Sequence, residues 1–164
     1  MARPDGRWYR AIGALALALL VVVSVFAPSA AAIPKGPDEV VIEQSAMNST
    51  TQSGGTVTLE ATVNASELNA PSLDVTLPDG WSIQSQSAEG PASFKPSTNE
   101  WVWLSGGEYT VTYTVGVPSD TAEDDYTIDA ETSAIEPDSD AFVSDSASTT
   151  ITVQAQPTNQ PPNA

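Results

Sequence analysis

Trp101 and Trp103 stand two residues apart in a stretch that reads as a β-strand, so their side chains project from one face. Paired aromatic rings on an exposed strand can stack on sugar rings, which makes the pair a carbohydrate-stacking candidate. The competing reading buries both rings in a core and turns Glu100 and Val102 outward; it is preferred, and both stay open. Trp81, after a Pro-Asp-Gly turn, reads as core. A second group is acidic. Glu136-Pro137-Asp138-Ser139-Asp140 puts carboxylates at every second position, with Asp145 beyond. That spacing can wrap a hard cation such as Ca²⁺, which takes about six to eight oxygen ligands. The helix-loop-helix calcium pattern also requires Gly at its sixth position and Glu at its twelfth, where this chain has Ala141 and Ala147. No metal site is therefore assigned. Glu136, Asp138 and Asp140 remain weak candidates beside plain solvated loop charge, and Glu123-Asp124-Asp125 has the same standing. Finally, Asn48-Ser49-Thr50 and Asn64-Ala65-Ser66 are N-glycosylation sequons at expected strand ends or loops, where a glycosyltransferase can reach Asn48 and Asn64.

What is missing narrows the chemistry further. The 164 residues contain no His and no Cys, which removes Ser-His and Cys-His nucleophilic pairs and most zinc sites. Two carboxylates can serve a glycosidase, but the acids that can be placed face solvent on strands or loops. No catalytic residue and no cofactor are expected, and the chain reads as a non-enzyme.

Charge sets the solvent and the partners. The net charge is −16; Met1–Arg10 carries +2 through Arg3, Arg7 and Arg10 against Asp5, which leaves −18 for the remainder, where Lys35 and Lys95 are the basic residues. Such a chain lacks the Lys and Arg that phosphate contacts need, so nucleic acid is excluded as a partner, and an anionic lipid surface would repel it. A hydrophobic content of 40% with regular strand patterning argues for a folded domain with a carboxylate-rich exterior rather than a disordered acidic tail. The acid-rich, Lys-poor composition resembles that of proteins from salt-loving archaea. At molar salt, where the Debye length is about 3 Å, self-repulsion is screened; in dilute buffer it strains the compact state.

The basic start leads into Ala11–Ala27, an apolar run of 17 residues, about 26 Å long as a helix. Pro28 and the small residues Ser29-Ala30-Ala31-Ala32 then offer a signal-peptidase site. Cleavage after Ala32 is the preferred reading; an uncleaved membrane anchor with Trp8 and Tyr9 at the interface is the second, and a pilin-type stalk the third. There is no Arg-Arg pair, and no Cys follows the apolar run to carry a lipid. The expected organisation is 1–32 signal or anchor, engaging the membrane at least transiently, 33–38 linker, 39–154 β-domain, and 155–164 a disordered Pro/Asn/Gln-rich tail.

Strands position the candidates. About 120 residues are enough for one core, and turn signals recur roughly every 8–12 residues, the spacing of an all-β sandwich. Glu39–Ser45 reads as a strand. Thr56–Asn64 alternates Val57, Leu59, Ala61 and Val63 with Thr and Glu, the period of a half-buried strand. Leu73, Val75 and Leu77 repeat the pattern before Pro78-Asp79-Gly80, and Trp81–Ser87 follows. Ser93–Leu104 is interrupted at Pro96–Asn99. Glu108–Val117 turns Tyr109, Val111, Tyr113, Val115 and Val117 inward. Tyr126, Ile128 and Ala130 continue the core face, a polar loop is expected over Glu136–Asp145, and Thr149–Gln154 is the last strand.

The motif order resembles the immunoglobulin-like repeat domain of prokaryotic, particularly haloarchaeal, surface proteins. The matching pieces are Thr76-Leu77-Pro78-Asp79-Gly80-Trp81, Phe94-Lys95-Pro96-Ser97-Thr98-Asn99-Glu100-Trp101 and Tyr109–Pro118. Asp125-Tyr126-Thr127-Ile128 resembles the late G-x-Y-T strand of sandwich modules attached to sugar-active enzymes. The family usually occurs in tandem, whereas this chain has one copy, and Ala65–Pro71 replaces its Asn-rich turn. The resemblance implies an all-β immunoglobulin-like sandwich of roughly seven or eight strands, after an N-terminal hydrophobic helix. It also implies an extracellular or cell-surface spacer, adhesive or assembly module, with a cell-surface protein or glycan as partner.

Overall fold

The structure, a computed structural model, describes residues 39–155. The expected N-terminal helix and the tail from residue 156 lie outside the described residues. Ten strands form two sheets: β1 (Val41–Ala46), β2 (Thr50–Gln52), β3 (Thr56–Asn64), β4 (Asn69–Thr76), β5 (Ser82–Ala88), β6 (Ser93–Lys95), β7 (Glu100–Val102), β8 (Glu108–Gly116), β9 (Asp124–Ile135) and β10 (Phe142–Gln154). The first sheet has the order β1-β3-β8-β5 and the second β2-β10-β9-β4-β7-β6. All pairings are antiparallel except β10 with β2, which is parallel.

This is the immunoglobulin arrangement of four strands (β1, β3, β8, β5) over a three-strand unit (β10, β9, β4). The β6–β7 hairpin extends the second sheet beyond β4. Tyr126, near the start of β9, donates its hydroxyl to the Ala122 carbonyl four residues upstream at 3.2 Å, the corner bond typical of such sandwiches. Its ring lies 5.3 Å from that of Trp81.

Alternation in sequence becomes the core directly. On β3, Val57, Leu59, Ala61 and Val63 are buried, paired across the ladder with Val115, Tyr113, Val111 and Tyr109 of β8. Leu73, Val75, Ile128, Ala130, Ile151 and Val153 line the facing sheet. Full burial of each large aliphatic side chain contributes about 1.5–3 kcal/mol, so the pattern dictates both the strands and the face they bury.

Two expectations need correction. The polar loop Glu136–Asp145 is shorter than expected, because Phe142–Asp145 pair with Ile135–Thr132 and extend β10. The strand count is ten rather than seven or eight, since the break at Pro96–Asn99 yields two short strands and Thr50–Gln52 forms another. At Ala65–Pro71 the chain joins β4 through an irregularity: Asn69 pairs with Ile135 and Ser72 with Ser133. Two residues, Ala70 and Pro71, thus oppose one, and Ala70 adopts φ 45°.

Candidate functional site

Both indoles of the tryptophan pair are in the core. Trp101 and Trp103 have no exposed surface. Strand β7 turns both toward the first sheet, since its neighbours Glu100 and Val102 share the opposite face. The Trp101 ring packs 4.5 Å from Phe94 and 5.7 Å from Tyr113, and its Nε1–H donates to Gln86 Oε1 at 3.0 Å. Trp103 stacks on Tyr109 at 4.7 Å and donates to the Glu89 carbonyl at 3.0 Å. The sugar-stacking reading of Trp101 and Trp103 is therefore corrected: each ring face is occupied by protein and each N–H is spent. The bonds to Gln86 and Glu89 also fasten β5 and its following turn to the second sheet.

The acidic loop is a compact hairpin turn. Glu136 N–H donates to the Ala141 carbonyl at 2.9 Å and Asp140 N–H to the Glu136 carbonyl at 3.1 Å. The Glu136 carboxylate accepts the Ser139 hydroxyl, and Asp140 has φ 54°. Glu136, Asp138 and Asp140 are not brought together, and among the described residues no three acidic side chains stand close enough to hold a metal ion.

The sequon asparagines are exposed at opposite ends of the sandwich. Asn48, between β1 and β2, accepts Thr50 N–H at 3.2 Å. Asn64, the last residue of β3, accepts both the N–H and the hydroxyl of Ser66, at 3.3 and 3.0 Å. Each side chain thus closes a turn within its own sequon.

The two outer faces differ in charge. Across the second sheet, ladder register sets Glu131, Asp74, Glu100 and Lys95 side by side on β9, β4, β7 and β6. Lys95 pairs with Glu100 at 2.6 Å. Desolvation, then the like charges of Glu100 and Glu131, push the Asp74 carboxyl above its ordinary value, with Lys95 opposing. Asp125 and Asp129 lie on the same face, each accepting a hydroxyl from β10 at 2.6 Å. The first sheet is covered with hydroxyls instead. Thr58, Thr114 and Ser85 form one row, and Thr112 and Ser87 lie in the next, beside Glu60. Its remaining carboxylates, Glu43 and Glu108, stand on β1 and at the start of β8.

A polar bridge crosses between the sheets. The buried Tyr113 hydroxyl donates to Gln44 Oε1, and Gln44 Nε2 donates to the Ile128 carbonyl at 3.0 Å and Thr149 Oγ1 at 3.1 Å. Burial pushes the Tyr113 hydroxyl well above the usual tyrosine range. Ile42 N–H donates to Asp145 Oδ2 at 3.1 Å. Side chains of β10 thereby occupy the outer edge of β1. This sealed edge was not read from the sequence; a polar Gln in a strand and an Asp-Ser-Ala-Ser-Thr run were its only signals.

No protein-family profile matches the chain, and no curated protein matches it in sequence. Solved structures share its fold. The full-length major pilin SpaD from Corynebacterium diphtheriae superposes with a TM-score of 0.56 at 14% identity, covering 68% of this chain and 34% of that one. The major pilin subunit BcpA*(D312A) of Bacillus cereus gives 0.56 at 8% identity, covering 71% and 41%. Domains D2 and D3 of SpaD give 0.52 at 12%, covering 67% and 51%. The chain spans about a third to a half of the length of these structures.

Proposed function

We propose that the chain is an exported, non-catalytic surface module that works by association, as a structural, adhesive or assembly unit of the cell exterior. One observation carries this reading. Both indoles of the tryptophan pair are consumed by the core, which leaves strand edges, loops, two chemically distinct faces and the exposed Phe142 as the surfaces a partner can meet. The fold shared with major pilin subunits supports it, as does the basic, apolar, small-residue start of the sequence. On this reading residues 1–32 direct export or anchor the chain, 33–38 link, 39–154 form the working domain, and 155–164 are a tail. The partner is a surface protein, or a glycan bound elsewhere than at Trp101 and Trp103.

The acidic exterior fits an environment of high salt. There the carboxylates on the second sheet are screened and hold water, and Asn48 and Asn64 are open to glycan attachment. Fractionation of host cells, with intact-mass measurement of the protein in medium and envelope, tests the reading. A form beginning at Ile33 in the medium, or a full-length form in the envelope, supports it, and added glycan mass reports use of Asn48 or Asn64. Recovery of the full-length chain solely from the cytosol sinks it.

A further inference from the structure

The four sheet edges are unequal. The outer edge of β1 is taken by Asp145 and Thr149 of β10. Strands β2 and β6 are three residues long, and β6 ends in Lys95. Short strands and edge lysines are devices that prevent strand addition. Strand β5, Ser82–Ala88, has neither device: it runs seven residues without a charge or a proline. Its single irregularity is at Gln84, the extra residue between the pairs Ile83–Val115 and Ser85–Thr114, which blunts the first half and leaves Ser85–Ala88 regular.

The backbone direction follows from one bond. Glu89 N–H donates to the Thr110 carbonyl at 2.9 Å, in register with the ladder. Alternation then turns Ser85 and Ser87 toward β8, and the N–H and C=O groups of Gln86 and Ala88 toward the open side. Among the described residues no hydrogen bond reaches that side. The segments outside the described residues that flank the domain, Ile33-Pro34-Lys35-Gly36-Pro37-Asp38 and Gln156-Pro157-Thr158-Asn159-Gln160-Pro161-Pro162, are interrupted by proline every few residues and are poor ladder partners.

We propose that this edge pairs with β5 of a second copy of the chain, antiparallel and centred on Ser87, joining two four-stranded sheets into one. Charge selects this occupant. Copies of a −16 chain repel, and β5 with the adjoining Thr110, Thr112 and Thr114 of β8 is where a second copy meets no like charge until Glu89. Two-fold symmetry also makes the contact self-complementary. With Ser87 opposite its own copy, Gln86 faces Ala88 of the second molecule and Ala88 faces Gln86, so about four backbone hydrogen bonds form from the open groups. Glu89 then faces the uncharged Ser85. The inference deepens the assembly reading by naming the partner, and its test is independent of where in the cell the protein is found.

The chain has no cysteine, so Ser87→Cys introduces a lone thiol. At a non-hydrogen-bonded pair the two Cα atoms lie about 4.5 Å apart, within disulfide range. Under mild oxidation of the full-length chain in molar salt, Ser87→Cys is expected to form covalent dimer on the order of a thousand-fold faster than Glu43→Cys on β1, since paired thiols see millimolar rather than micromolar concentrations of each other. Ser87→Lys and Ser87→Asp should each lose the dimer in sedimentation equilibrium, and an equimolar mixture should restore it. Equal cross-linking at positions 87 and 43, or an unchanged association state in both charge variants, overturns the proposal. Fractionation failing while cross-linking succeeds would discard the surface role and keep this interface.

Discussion

Replacing Gln44 with Leu tests whether the bridge between sheets stabilises the domain as a unit. The Tyr113 side chain is 1% exposed and its hydroxyl donates to Gln44 Oε1. Gln44→Leu keeps the aliphatic bulk, strands that hydroxyl and deletes the Nε2 bonds to Ile128 and Thr149. A buried unpaired hydroxyl costs about 1–3 kcal/mol and each of the two lost neutral bonds about 1 kcal/mol, so the expected loss is about 3–5 kcal/mol. Tyr113→Phe removes the donor, and the half-buried Gln44 carboxamide can turn to water; the expected loss is about 1 kcal/mol. In the double variant no hydroxyl is left stranded, so its loss should fall short of the sum by about 1–2 kcal/mol. Denaturant unfolding followed by tryptophan fluorescence, at constant molar salt, measures all four proteins, with unchanged m values certifying comparable states. Additivity within about 0.5 kcal/mol would refute the coupling of Tyr113 to Gln44 and with it the bridge that starts from the buried hydroxyl.

Three other outcomes are expected. Asp74→Asn should stabilise the domain at pH 7 by about 0.3–1 kcal/mol, a modest figure because the site is largely solvated. The folded-state pKa of Asp74 is raised, so its unfavourable contribution is present at neutral pH and is relieved as pH falls through that value; wild type and variant should converge toward pH 4, and equal midpoints at pH 7 would contradict this. Gly106→Ala should cost about 1–3 kcal/mol or more by urea titration, because a Cβ there would lie 2.2 Å from the Leu68 carbonyl oxygen and 2.4 Å from that of Ala65, both backbone atoms with little room to shift. Transfer from molar salt to dilute buffer should lower the melting temperature seen by circular dichroism, as 20 carboxylates beyond Arg10 lose their screening; an unchanged melt would remove the argument for salt adaptation.

The strands that could be read from sequence are those whose alternation is driven by burial. Thr56–Asn64 was found with its full extent, and Glu108–Val117 to within a residue, because every second side chain enters the core and the rest are mostly Thr and Glu. The first half of β10 could not be read this way. Its inward positions Asp145, Ala147 and Thr149 sit at the margin under β1, where Asp145 and Thr149 bond that strand, so the stretch looks like a loop. Strand β2 is too short to show a period, and its parallel pairing with β10 joins residues about a hundred positions apart.

Composition and period alone determined that this is an acidic all-β domain without thiol or imidazole chemistry, and they determined which residues share a face. That much is local, since a strand's side chains alternate whatever it packs against. They did not determine which face of Ser93–Leu104 is inside, and so left Trp101 and Trp103 open between a ligand and the core. Only the packing of β7 against the first sheet, with Phe94, Tyr109 and Tyr113 meeting the indoles, decided for the core. Nor does any local pattern separate a sealed edge from an open one. Strands β1 and β5 are both polar-rich, and what distinguishes them is whether β10 lies close enough to bond the outer backbone, a contact between residues some hundred positions apart in the chain.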